Sequence, residues 1–181
     1  IHPDYAEWET ELYRLQSHGI QGLKIHADFQ GFHLDDPRLL PIFEAAQNNF
    51  VLMLHVGDRL PPEQNPSSPQ KVAAIKQQVP GLTIIAAHFG GFFHWESVVQ
   101  ALGKLDIYID TCSSLDFIPP HILTEIVNAF PRERILFGSD YPCYKPADEL
   151  LKLQRALNLS DSELQDLLTN ANSILQVGMR T

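Results

Sequence analysis

Eight histidines stand among 181 residues, against two methionines and two tryptophans, and three of them fall at comparable places. His26 closes the apolar run Ile20–His26, His55 lies at the end of Phe50–Val56, and His88 at the end of Leu82–Phe89. Asp110 closes Ile107–Asp110, Asp140 closes Ile135–Asp140, and Lys24 precedes His26 by two residues. Several imidazoles and carboxylates gathered at one place suit a divalent metal such as zinc. A bound metal lowers the pKa of its water toward roughly 7, and a His or Asp beside that water can move its proton. One such histidine alone reads as a hydrogen-bonded structural residue. Recurrence at equivalent places in successive units is what argues for a shared site.

The elements that must position these side chains follow from the rhythm of the chain. Each apolar run is too short for a buried helix and is bounded by Gly, Pro, Asn or Asp, as in strands of a parallel sheet covered on both faces. Amphipathic stretches lie between them. Helices are expected over Asp4–Ser17, Pro37–Asn48, Ser68–Gln78, Glu96–Leu105, Pro120–Ala129, Ala147–Leu157 and Ser162–Gln176. Asp36 stands as N-cap before Pro37, and Ser160 with Glu163 forms a capping-box pattern. The strand ends are 22 to 33 residues apart, close to one βα unit each. The class is α/β with at least five parallel strands, either a doubly wound sheet or part of a β/α barrel. In both, the carboxyl ends of the strands form the site. Period-two alternation places His55 on a face with Met53 and Val51, His88 with Ala86 and Ile84, Asp140 with Gly138 and Leu136, and His26 with Lys24.

Composition excludes several functions. Thirteen Lys and Arg against 22 Asp and Glu give a net charge of −9, so no basic stripe is available for nucleic acid or an anionic membrane surface. No apolar run approaches the roughly 20 residues of a membrane span, and no signal peptide opens the chain. Cys112 and Cys143 form no CxxC, and a reducing cytoplasm is the default location. Nothing marks a partner base for Cys112 or Ser113, and both read as small loop residues, as does Cys143. His2, His18, His33, His94 and His121 fall in helical or loop contexts where solvent exposure is expected, although His94 lies near His88.

At these residues the chain resembles the amidohydrolase superfamily, in the amidohydrolase 2 branch that also holds the aminocarboxymuconate-semialdehyde decarboxylase-like enzymes. The matching segments are Gly22-Leu-Lys-Ile-His26 with the FQGFHLDDPRLLPIFEAA that follows, Leu54-His-Val-Gly57, Ala87-His-Phe-Gly-Gly91, Tyr108-Ile-Asp-Thr111, Ile135-Leu-Phe-Gly-Ser-Asp-Tyr-Pro142 and the tail TNANSIL. The resemblance implies a (β/α)8 TIM-barrel-like fold of metal-dependent hydrolase type, with residues 1–181 as one domain covering about strands 4–8. It implies His55 and Asp140 as metal ligands, His88 and Asp140 as catalytic acid or base, and His26 and Lys24 as substrate-binding residues. The implied cofactor is a divalent metal, Zn2+ first and Mn2+ as the alternative. A strand-six His as a second-metal ligand, with Lys24 carboxylated, is the two-metal variant.

One departure weighs against a complete site. The family's first strand carries a His-x-His pair, and no such pair exists here. Ile1-His2-Pro3 resembles the end of strand three, the chain opens without Met, and 181 residues fall short of the roughly 250 of a full barrel. The expectation is therefore a barrel portion whose N-terminal strands are missing. The expected activity is hydrolysis of a C–N or C–O bond in a small carboxylated molecule. The alternatives are a non-oxidative decarboxylase of the same branch and an inactive scaffold or binding module. A flavodoxin-like phosphate binder ranks low, since no Gly-rich turn follows a first strand. An open sheet edge leaves a homo-oligomer possible.

Overall fold

The computed structural model describes residues 1–175. Five apolar segments form strands: β1 Gly22–Ile25, β2 Val51–Leu54, β3 Thr83–Ala86, β4 Tyr108–Asp110 and β5 Ile135–Leu136. They pair in the order β1-β2-β3-β4-β5, and every pair is parallel. That order separates the two candidate architectures. A doubly wound sheet reverses direction at a switch point. Here each strand is added on the same side of the last. Because β-helix-β crossovers are right-handed, helices between such strands all fall on one face, and the other face is that of a barrel interior.

Two apolar clusters record those two faces. The larger joins Leu52, Leu54, Ile84, Ala86, Ile109 and Ile135 to the helices. The smaller holds Val51, Ile85 and Leu136, flanked by Met53 and Tyr108, and Ile174 from the last helix packs on it. The register agrees, since Met53 stands opposite Ile85 and Ile85 opposite Tyr108. His55, two residues beyond Met53, therefore belongs to the inner face, and Lys24 opposite Met53 lies there too, exposed.

The helices are α1 Trp8–Ser17, α2 Ala27–Gln30, α3 Leu40–Ala46, α4 Pro69–Gln78, α5 Trp95–Leu102, α6 Pro120–Ala129, α7 Pro146–Ala156, α8 Asp161–Thr169 and α9 Ala171–Leu175. Prolines open α4, α6 and α7, where the missing N–H costs nothing. The Ser160–Glu163 capping box is present. Asp36 accepts the Arg38 N–H at 2.9 Å, but the turn it caps is a 3-10 turn, Pro37–Leu39, and the α-helix expected from Pro37 starts at Leu40. Similarly, the helix expected from Asp4 starts at Trp8.

Two departures have clear causes. The short α2 was not expected; the His26 ring accepts the Phe29 N–H at 3.4 Å to start it, and Gly31 at φ +78° ends it. The helix expected over Ser162–Gln176 breaks at Asn170, whose side-chain amide donates to the carbonyls of Arg132 (2.8 Å) and Ile135 (2.9 Å). That break ties the closing helices to β5; Gln176 lies outside the described residues. Among the described residues no helix is long and apolar enough to cross a membrane.

Candidate metal centre

The chain leaves the sheet through strained turns. His88 (φ +63°), Phe89 (+51°), Ser113 (+54°) and Asp140 (+59°) all sit in the left-handed region just past strand ends. Such outliers persist where surrounding structure over-determines them, and they cluster at functional sites. The turn corrects one expectation. Ile84 and Ala86 belong to the helix-side core, so strand alternation would send His88 away from the site. The positive φ at His88 and Phe89 brings it back.

The side chains form a continuous row. The His26 and His55 rings stack at 3.7 Å, and Phe29, itself exposed, stacks on the far face of His26 at 3.9 Å. His55 Nδ1 lies 2.9 Å from His88 Nε2. His88 Nδ1 lies 3.1 Å from the Cys112 carbonyl and 3.2 Å from its Sγ. The next residue, Ser113, donates its hydroxyl to Asp140 Oδ2 at 2.6 Å. His26, His55, His88 and Asp140 thus lie along one rim, and Lys24, on the inner face of β1, is near enough for its charge to act on His26 and His55. Burial, then the charges of His88, His26 and Lys24, push the His55 pKa down to about 3. Burial likewise lowers that of His26, and burial with the Asp110 carboxylate raises the Cys112 thiol.

Asp110, expected at a strand end on the rim, and Gly57, which drew no role from sequence, hold this row in place. Asp110 is buried, and its Oδ1 accepts the backbone N–H of both His88 (2.9 Å) and Cys112 (3.1 Å). Gly57 (φ +87°) pairs with Phe92 across the next loop, and Phe92 N–H donates to the Val56 carbonyl at 2.8 Å. The loops carrying His55 and His88 are therefore fastened to each other. Asp110→Ala should strand two buried N–H groups and lower stability by about 2–4 kcal/mol, with Asp110→Asn milder because one oxygen remains. Urea unfolding of the three proteins tests this; a loss below about 1 kcal/mol for the alanine variant would contradict it.

The ring protons of His55 and His88 show whether the donor set suits a divalent ion. Gly57 O faces His55 Nε2 at 3.0 Å, and Cys112 O faces His88 Nδ1. A carbonyl accepts only, so each of those nitrogens carries the ring proton. In neutral rings the other two nitrogens, His55 Nδ1 and His88 Nε2, are then bare, and they face each other at 2.9 Å. Two lone pairs at that distance are relieved by a cation beside them or by a third proton, and burial opposes a third proton on His55. Backbone carbonyls that orient imidazoles in this way are the usual outer partners of a metal ligand. The residues present fit a divalent ion.

A second group supports the same conclusion. Among the described residues, His26, Asp28 and His55 are the one trio of metal-capable side chains with donor atoms all within 4.8 Å. Asp28 Oδ2 accepts the Ser67 hydroxyl at 2.6 Å, while its buried Oδ1 has no hydrogen-bond partner. The lone pairs of His26 and His55 lie in near-parallel ring planes stacked one on the other, so one ion takes only one of the two in this arrangement. Asp28, two residues past His26, had no sequence signal beyond its type. Asp140 lies outside that trio, held by Ser113. Of the remaining histidines, His94 is buried at the start of α5, contrary to the exposure expected of it, and His2 is half-buried with its ring on the Gln30 carbonyl; His18, His33 and His121 are exposed.

The amidohydrolase family model matches residues 6–173. The chain belongs to the amidohydrolase family. Within it, the match is to the amidohydrolase 2 branch, a group of enzymes. Solved structures similar to this amidohydrolase chain extend the fold. An uncharacterized TIM-barrel protein from Bordetella bronchiseptica superposes with a TM-score of 0.78 at 20% identity, covering 99% of this chain and 65% of that one. A putative 2-pyrone-4,6-dicarboxylic acid hydrolase from Pseudomonas putida gives 0.66 at 15%, covering 95% and 69%. A dihydroxybenzoic acid decarboxylase from Polaromonas, solved with manganese and the inhibitor 2-nitroresorcinol, gives 0.66 at 16%, covering 99% and 67%. The amidohydrolase chain thus spans about two thirds of these barrels, and its five strands are part of a (β/α)8 barrel.

Proposed function

We propose that this amidohydrolase works as a metal-dependent hydrolase on a C–N or C–O bond of a small carboxylated molecule. The observation that carries the proposal is the pair of bare nitrogens, His55 Nδ1 and His88 Nε2, turned toward each other by two backbone carbonyls. His55 and Asp140 would hold the ion, Zn2+ or Mn2+. When bound, such an ion supplies a water of lowered pKa and polarises a substrate oxygen. His88 Nε2 presents a lone pair at the same place, and it takes or returns a proton there. Asp140 keeps Oδ2 on Ser113, and its Oδ1 would serve as a second proton acceptor. Lys24 and the edge of His26 orient the substrate carboxylate, since both faces of the His26 ring are covered.

The manganese-bound decarboxylase with the same fold favours a second activity, loss of CO2 from an aromatic acid, which the same donor set would serve. Metal content and product analysis separate these activities. The protein loaded with Zn2+ or Mn2+ is offered carboxylated lactones, amides and hydroxybenzoates in H218O. Hydrolysis puts the label in the product. Release of CO2 without label makes the protein a decarboxylase instead. A protein that binds no stoichiometric metal is neither, and serves as a scaffold or binding module.

A further inference from the structure

Beyond the clasp between Gly57 and Phe92, the loops after β2 and β3 flank an open cavity of about 360 Å3. That volume is in the range of small-molecule sites. The first loop lines it with Leu60, Pro61 and Pro62, and the second with Phe93. Two polar groups there lack the partners such groups normally have. His94 lines the cavity and is only 5% exposed, yet neither ring nitrogen makes a hydrogen bond among the described residues. Polar atoms of side chains this buried are nearly always paired. Neither nitrogen is fully sealed from solvent, and the cavity supplies the open space beside the ring.

Arg59 is the second. Its guanidinium lies over the Phe93 ring, 5.1 Å from the centroid, and pairs with no carboxylate among the described residues. Asp58 and Glu96 also line the cavity. Asp58 Oδ1 is engaged by the backbone N–H of Arg59, and Glu96 is an exposed residue in the first turn of α5. That helix starts here with no side chain capping its N–H groups, which adds partial positive charge.

We propose that this cavity binds a small monocarboxylate with an apolar body. The carboxylate takes the planar fork of Arg59 and an N–H of His94, a donor that even a neutral imidazole offers. The apolar body lies against Phe93 and Leu60. The charges of Asp58 and Glu96 oppose a dianion, so inorganic phosphate is the wrong ligand. The site stands on its own residues and does not depend on the proposed function.

The test titrates phenylacetate into 15N-labelled, metal-free protein and follows the backbone 1H–15N spectrum. Saturable shifts centred on residues 58–60 and 93–97 are expected, with a dissociation constant of about 1 mM, ordinary for so small a ligand. Phenylacetamide, which has the shape without the charge, and inorganic phosphate should each bind at least about tenfold more weakly. Arg59→Gln should weaken phenylacetate binding about tenfold or more, the value of a lost hydrogen bond to a charged group. Arg59→Lys keeps the charge without the fork and should recover part of that loss. His94→Phe should weaken binding about fivefold. Arg59 is exposed, so its variants decide alone should the His94 variant not fold. No saturable shift with phenylacetate, equal binding of phenylacetamide or phosphate, or unchanged affinity in Arg59→Gln overturns the proposal. Each of these failures leaves the metal centre as it was, since no residue proposed to hold the ion is altered.

Discussion

His55→Ala is expected to lower zinc affinity by at least about a hundredfold and to remove activity with it, while the chain stays folded. Outer partners of metal ligands already contribute 10–100-fold to affinity, and a ligand contributes no less. His55 is central to the row: it contacts His88 through Nδ1, Gly57 through Nε2 and His26 through its face. Its pKa near 3 also keeps the His55 ring neutral at neutral pH, so protons would not compete with an ion there. That shift has a definite sign in the metal-free protein. Unfolded, His55 takes a proton below about pH 6.5; folded, it takes one only near 3. Between those values the unfolded chain binds more protons, so stability rises with pH. The contribution is complete above about 6.5 and is lost as pH falls through the window toward 3. Metal titration at pH 7 and urea unfolding across pH 3.5–7 check both parts. Unchanged zinc affinity would remove His55 from the metal site, and an equally steep fall in stability for the variant would contradict its buried, neutral state.

Much of this arrangement was legible in the residues. Strand-end placement of His26, His55, His88, Asp110 and Asp140 depends on apolar runs and breakers alone, and the five strands form where those runs lie. The choice of barrel over doubly wound sheet was not legible from the rhythm, because both produce βα units; strand order decides it. His88 shows a second limit. Counting by twos along a strand fails once the backbone leaves the β region, and nothing in the letters AHFGG states which residue takes positive φ. Asp28, Asp110 and Cys112 show a third. Their roles lie in what they face across the sheet: Asp110 binds the N–H of a residue 22 positions away, and Ser67 reaches Asp28 across 39. Spacing along one strand carries no record of such partners.

The largest stability effect should come from a residue with no side chain at all. Gly57 sits at φ +87°, a conformation an L side chain adopts only with strain. The space around it is also closed: a Cβ there would stand 2.3 Å from the Phe92 carbonyl oxygen and 2.4 Å from its nitrogen. Those atoms are backbone, and the Phe92 N–H is itself bonded to Val56, so no flexible side chain can yield. Gly57→Ala must therefore open the contact between the His55 and His88 loops. It adds left-handed strain to the loss of the Gly57–Phe92 pairing, and a cost of at least about 3 kcal/mol follows. The same opening should separate His55 Nδ1 from His88 Nε2 and weaken zinc binding, although residue 57 provides no side-chain ligand. A variant that stays folded in low denaturant yet binds zinc poorly would show the two effects together. Gly57→Ala unfolding within about 1 kcal/mol of wild type, with zinc affinity unchanged, would mean that the two loops are held by something other than this close approach. In that case the orientation of the paired imidazoles would have to rest on Asp110 alone.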